Sequence, residues 1–168
     1  TNGTVDPAPW NGLEITNVVV QNGITKIGAF AFYDTTAENI SLADSVTTVG
    51  RSAFSRTRVT NTNFLTNNLT SIGKTVFQNC EELTDAVWPT GCKAIPSGAF
   101  TGCTKLSSIT IPEGTTEIGQ GAFRNVPKMK SISLPSTITT MGKTAFKNWA
   151  ADQKIIFPSG YSQDTIDS

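Results

Sequence analysis

Three cysteines, Cys80, Cys92 and Cys103, and a tight group of carboxylates, Glu81, Glu82 and Asp85, are the side chains of this sequence best suited to chemistry. A thiolate can attack a carbonyl or ligate a metal, and paired carboxylates can pass protons, but each needs an activating partner held in place. The chain contains no His, which takes away the commonest general base and the commonest metal ligand together. The three carboxylates have no partner base near them in the sequence and read as a solvated acidic patch. No nucleophile, base and orienting group recur together, so the chain is expected not to be an enzyme, to need no cofactor and to hold no metal.

A basic cluster, Arg124, Lys128, Lys130, Lys143, Lys147 and Lys154 against Asp152, carries a local charge of six minus one, or +5. It suits anionic glycans or end-to-end docking. A solvated face is the plainer reading, because the aromatics that interleave with basic residues in a nucleic-acid site are missing. Over the whole chain 13 basic and 13 acidic residues cancel, leaving no field to draw in nucleic acid or an anionic membrane. No run approaches the roughly 18 apolar residues of a membrane span, and Thr1–Trp10 lacks the regions of a signal peptide, so the start reads as a mature boundary. Nucleic acid and membrane insertion are therefore excluded. Sequons at Asn2, Asn39 and Asn68 are about as many as the Thr and Ser content produces by chance.

The elements that position these residues follow from composition and repetition. At 168 residues the chain is one domain, 1–168. Charged residues make up 15% and hydrophobics 38%, against roughly 25% and about 45% in average soluble proteins. Uncharged polar residues fill the gap, with 26 Thr, 14 Ser and 12 Asn, which favours strands and bends over long helices. Phe recurs at Phe32, Phe54, Phe77, Phe100, Phe123 and Phe146, with spacings of 22, 23, 23, 23 and 23. Five residues ahead of each lies an aliphatic: Ile27, Val49, Ile72, Ile95, Ile118 or Met141. The next residue is Gly28, Gly50, Gly73, Gly119 or Gly142, with Pro96 the departure. Repetition at this period specifies stacked coils.

Between successive Phe residues runs an apolar pair of period two: Val18/Val20, Ile40/Leu42, Asn63/Leu65, Ala86/Trp88, Ile109/Ile111, Ile132/Leu134 and Ile155/Phe157. These read as seven short parallel strands, a sheet roughly 29 Å long at about 4.8 Å per strand. Pro89, Pro112, Pro135 and Pro158 end four of them at the same height. The stretch from the aliphatic-Gly pair through Phe is expected to make a turn and about one helical turn on the opposite wall. One coil of about 23 residues cannot bury its own apolar side, so the Phe residues must form a buried column. Residues 13–160 are the stacked repeats, 1–12 with Trp10 an N-terminal cap, and 161–168 a C-terminal tail.

The pattern L-x-x-I-x-I-P-x-x-x-x-x-I-G-x-x-A-F-x-x-C, carried almost entire by Leu106 to Val126, where Val126 stands at the Cys position, and in part by every other coil, resembles the BspA-like, or treponemal-type, leucine-rich repeat. The resemblance implies a fold of class α/β, a horseshoe-type leucine-rich-repeat solenoid with strands on one face and turns and short helical turns on the other. It also implies a surface protein of host-associated microbes, extracellular or on the cell, that adheres to a protein or glycan on host or neighbouring microbial cells, and it allows a fragment of something longer. A monomer is expected.

Cys80 and Cys103 hold the Cys position of the pattern one coil apart, and Thr35, Thr57, Val126 and Trp149 fill the same slot elsewhere. Two buried thiols fit this slot, and so does a Cys80–Cys103 bridge across about 5 Å. Cys92 replaces Leu69 and Ile138 in its own column as an apolar filler. The second coil leaves Val59 or Thr60 at the Leu position, and the sixth has Asp152 there.

The outward strand positions are the informative surface. They begin with Asn17 and Val19, end with Lys154 and Ile156, and between these comprise Asn39, Ser41, Thr62, Phe64, Asp85, Val87, Ser108, Thr110, Ser131 and Ser133. This flat face of hydroxyls and amides with a few apolar side chains suits docking of a protein or glycan more than catalysis. A purely structural spacer, holding another domain away from the envelope, is the second reading. In the strict repeat register Asn63 points inward and Phe64 outward, unless a bulge turns Phe64 into the core.

Overall fold

A computed structural model describes Ala8, Trp10 and residues 13–160. The remaining residues of the expected cap 1–12 and tail 161–168 lie outside the described residues. The chain winds as a succession of coils of about 23 residues, with two columns of short parallel strands. The first column holds β1 (Asn17–Val20), β3 (Asn39–Leu42), β6 (Asp85–Val87), β8 (Ser108–Thr110), β10 (Ser131–Ser133) and β12 (Lys154–Ile156). The second holds β2 (Lys26–Ile27), β4 (Thr48–Val49), β5 (Ser71–Ile72), β7 (Ala94–Ile95), β9 (Glu117–Ile118) and β11 (Thr140–Met141). The aliphatic ahead of each repeat Gly, or ahead of Pro96, is thus the end of a two-residue strand. All pairings are parallel, as the winding demands.

No helix occurs among the described residues, so the expected short helical turns are not present there. The backbone donors show why. Around Phe54, the N–H groups of Ser52, Phe54 and Arg56 cross to the carbonyls of Lys74, Val76 and Gln78 at 3.0, 3.1 and 2.9 Å. The intervening Ala53, Ser55 and Thr57 N–H groups close turns onto Gly50, Ser52 and Phe54 at 3.3, 3.2 and 3.4 Å. A helix would spend every donor within its own coil and leave none for the neighbour. Left-handed residues two before and two after Phe make the alternation possible, as at Ser52 (φ 53°) and Arg56 (φ 61°) or Gly98 (φ 67°) and Gly102 (φ 75°). The strain of about 1 kcal/mol or more at each non-Gly position is offset because the bonds on both sides depend on it.

The Phe column is continuous. Successive rings from Phe32 to Phe146 lie 5.6, 5.8, 5.6, 5.5 and 5.6 Å apart with interplanar angles of at most 16°. Trp10 stacks on Phe32 at 5.6 Å, and Trp149 meets Phe146 edge-on at 4.9 Å. Gly is required beside this column for another reason. A Cβ at Gly50, Gly73, Gly119 or Gly142 would lie 2.4–2.5 Å from a backbone nitrogen of the preceding coil, whereas one at Gly28 meets nothing within 4 Å because no described coil lies beneath it.

The third coil departs from the expected register. Residues 61–66 form no strand, only a single bridge, Asn61 to Asp85. That places Thr62 opposite Ala86 and Phe64 opposite Trp88, one residue away from the pairing that the repeat spacing predicts. Thr62 is buried at 1% exposure and Asn63 is exposed. Phe64 is half-buried, with its ring 5.2 Å from Phe54 and 6.1 Å from Phe77. Thr62 and Phe64 are therefore corrected from the outward face to the inward one. An aromatic gains more from joining the ring column than Asn63 does, so the chain slips by one residue and makes up the length before Leu69. Asn61 accepts from the Asn63 N–H at 3.0 Å, an Asx turn that bends the chain out of the ladder. The buried Thr62 hydroxyl repairs part of the loss, donating to Val87 O at 2.9 Å and accepting from Val87 N–H at 2.8 Å. At the Leu position of the second coil it is Val59 that is buried, and Asp152 in the sixth coil is exposed beside Lys130.

Four variants test this packing, three by equilibrium denaturation and one by thermal midpoint. Phe100→Ala opens a cavity between two coils and is expected to cost about 3–5 kcal/mol. Gly73→Ala is expected to cost at least about 2 kcal/mol through overpacking against backbone, while Gly28→Ala stays within about 0.5 kcal/mol of wild type. Equal losses at both glycines would contradict the close-approach explanation. Phe64→Ser is expected to lower the thermal midpoint by several degrees, and an unchanged midpoint would return Phe64 to the surface.

Candidate functional site

The thiols fail as reactive groups once their surroundings are known. Cys80, Cys92 and Cys103 are all free and buried. Cys80 Sγ donates to Phe54 O and Cys103 Sγ to Phe77 O, both at 3.0 Å. Thr35 and Thr57 hydroxyls donate to Phe32 O and Phe54 O of their own coil at 2.9 and 2.8 Å, and the Trp149 indole reaches Phe123 O of the preceding coil at 2.8 Å. The slot is thus a column of weak and strong donors that satisfies carbonyls of the ring column. Loss of hydration pushes Cys80 and Cys92 up to about 11, and Cys103, with Cys80 beside it, well above the ordinary thiol value. The carboxylates are solvated: Glu82 pairs with Lys105 at 2.6 Å, with both side chains about half exposed.

The first strand column presents two outward rows. One runs Asn17, Asn39, Asn61, Asp85, Ser108, Ser131, Lys154, and the other Val19, Ser41, Asn63, Val87, Thr110, Ser133, Ile156. Of the ten positions predicted to lie on this face, Asn39, Ser41, Asp85, Val87, Ser108, Thr110, Ser131 and Ser133 are exposed on it, and Thr62 and Phe64 are not. Asn61 and Asn63 take their places. The signal for Asn61 was present in the sequence, since Asn17, Asn39 and Asn61 recur at an interval of 22. Val19, Val87 and Ile156 stand 71%, 47% and 49% exposed, an apolar contact at the start, middle and end of the face.

The polar residues of the face bond to one another across coils. Asn39 Nδ2 donates to Asn17 Oδ1 at 3.1 Å. Asp85 accepts from the Ser108 hydroxyl at 2.5 Å and from the Thr84 hydroxyl at 2.7 Å, and these two bonds hold its carboxyl below the usual aspartate value. Such an arrangement orients side chains on a stiff surface.

The BspA-type leucine-rich repeat region matches in six copies over residues 7–107 and 70–167. The chain belongs to the BspA-type leucine-rich repeat family. Its fold is similar to that of a leucine-rich repeat protein from Eubacterium ventriosum, with a TM-score of 0.66 and 23% identity over 88% of this chain and 46% of that one. It is also similar to a leucine-rich cell surface protein from Faecalibacterium prausnitzii, with a TM-score of 0.54 and 20% identity over 90% of this chain and 62% of that one. A leucine-rich repeat protein from Bacteroides ovatus matches with a TM-score of 0.51 and 20% identity over 90% and 54%. The chain therefore spans about half to three-fifths of these relatives' length. No curated protein is significantly similar to it. No helix among the described residues is long and apolar enough to cross a membrane.

Two measurements check this account. A thiol reagent is expected to label the native protein very slowly and to label three cysteines once the protein is unfolded without reductant. Fast native labelling would contradict burial, and failure to label after unfolding would indicate a bridge. Asp85 is expected to titrate below about 3.9, its ordinary midpoint. Because the folded value is depressed, its small stabilising contribution is full above that midpoint and is lost as pH falls through the folded value. Ser108→Ala is expected to raise the Asp85 midpoint, read from the carboxyl carbon by NMR.

Proposed function

We propose that this repeat domain is an interaction module of the cell surface or extracellular space that docks a protein partner through its strand face. The single observation that carries this reading is the pair of outward rows, exposed and braced across coils, on which polar side chains are interrupted by Val19, Val87 and Ile156. Flat faces with a few apolar anchors amid satisfied polar groups are suited to recognition, because anchors supply affinity and the ordered polar groups supply register. The description of the Faecalibacterium prausnitzii relative as a cell surface protein supports the location. Membership of a family of repeat scaffolds favours binding over catalysis.

Captures from host extracellular matrix proteins, made with the natural face and with Ser108, Thr110, Ser131 and Ser133 replaced by Glu, test the proposal. The replacements should abolish capture and leave the thermal midpoint within a few degrees, since these side chains do not enter the core. Val87→Ser should weaken binding about tenfold or more, which corresponds to about 1.4 kcal/mol. Capture of nothing by the natural face would favour a spacer role, and capture unaffected by the four replacements would move the site off the strand face.

A further inference from the structure

The strand ladder is open between the second and third coils, and the opening is a groove of about 430 Å³. Asn39 N–H donates to Thr16 O and Ala43 N–H to Val20 O, both at 3.0 Å, so in the alternation of a parallel ladder the N–H and C=O of Ile40 face the third coil. No strand of residues 60–66 meets them, because the Asx turn at Asn61 has carried that chain away. The opening is bounded. Arg58 N–H binds Ala37 O at 3.0 Å below it, and Asn68 Nδ2 binds Asp44 O at 3.0 Å above it.

Its lining is specific in kind. Asn39, Asn61 and Asn63 bring side-chain amides, Glu38 a carboxylate, and Phe64 the part of its ring that the column does not cover. The Asn63 side-chain amide makes no hydrogen bond among the described residues, whereas Asn39 Nδ2 already donates to Asn17 and the Asn61 amide is engaged with the Thr60 hydroxyl and the Asn63 N–H. A ligand here must both donate and accept at several points and offer an apolar face to an aromatic edge. An added peptide strand fails on size, since it needs roughly 9.6 Å between its neighbours. The same two coils are tied by the β4–β5 ladder and by rings 5.8 Å apart, and cannot spread. A pyranose ring satisfies every condition, with hydroxyls for amides and the Ile40 backbone and C–H groups for Phe64. Glu38 disfavours an anionic sugar.

We infer that this groove binds one neutral pyranose residue of a glycan carried by the docked partner. The inference rests on the reading of the strand face as a docking surface and assigns the chemistry of one part of it. The test is an NMR titration of the isotope-labelled chain with glucose, galactose, mannose and N-acetylglucosamine, following the Ile40 backbone amide and the Asn39, Asn61 and Asn63 side-chain amides. At least one sugar is expected to shift these signals with a millimolar dissociation constant, and Asn63→Ala, at an exposed position outside the core, is expected to weaken that binding about tenfold without moving the thermal midpoint. Absence of shifts with all four sugars, or shifts equally strong in Asn63→Ala, overturns the inference. The four Glu replacements on the fifth and sixth coils lie outside the groove, so they should abolish protein capture and leave the sugar shifts intact. The two readings therefore fail separately.

Discussion

No coil of this chain can bury its own apolar side, and everything else in the structure serves the bonding of each coil to the next. Three walls share that task. Two are short parallel ladders, and the third is a run of turns whose alternate N–H groups point along the axis to the next coil. Inside them the six Phe rings stack in near-parallel offset contact, each gaining apolar burial from the ring before and after. The constraint is geometric before it is hydrophobic. Coils must approach closely enough for backbone bonds, which excludes any side chain at Gly50, Gly73, Gly119 and Gly142. The same demand forces residues such as Ser52 and Arg56 into a left-handed conformation that their side chains disfavour.

This bonding also explains why a chain so rich in hydroxyls folds at all. Thr47, Thr70, Thr116 and Thr139 stand one coil apart or in the same column, and each hydroxyl donates to the carbonyl of the equivalent residue one coil back, at 3.2–3.3 Å. The backbone N–H of the same Thr reaches that carbonyl too, at 2.8–2.9 Å. A side chain that would be a modest surface residue elsewhere thus repeats the main-chain ladder beside it. Thr62 carries this furthest, because its buried hydroxyl stands in for a missing backbone pair opposite Val87. Burial of such a hydroxyl is affordable only because both its donor and its acceptor capacity are used.

The third coil shows how a repeat protein acquires a local feature without losing its fold. A one-residue slip keeps Phe64 against Phe54 and Phe77 and opens the sheet on one side, while the turn wall continues and β4 and β5 still join the second and third coils. The face is consequently not a uniform lattice. It is a set of braced polar rows with a groove near one end, and the functional possibilities follow from that unevenness.

The repeat, its period, the buried ring column, the inward slot of Cys80 and Cys103 and most of the outward face were legible in the sequence, because each depends on a spacing that stacking repeats coil after coil. Ser108, Thr110, Ser131 and Ser133 lie where alternation places them. Three matters needed the tertiary structure. The turn wall reads as one helical turn from its length alone, and only the competition between intracoil and intercoil hydrogen bonds decides against it. The state of the two thiols depends on where Sγ finds an acceptor, and Phe54 O and Phe77 O draw them apart into separate bonds. The register of residues 61–65 was ambiguous because Asn61, Thr62, Asn63 and Phe64 alternate acceptably in either phase. The choice rests on the packing of Phe64 against rings that belong to two different coils, a contact that no spacing within its own coil encodes.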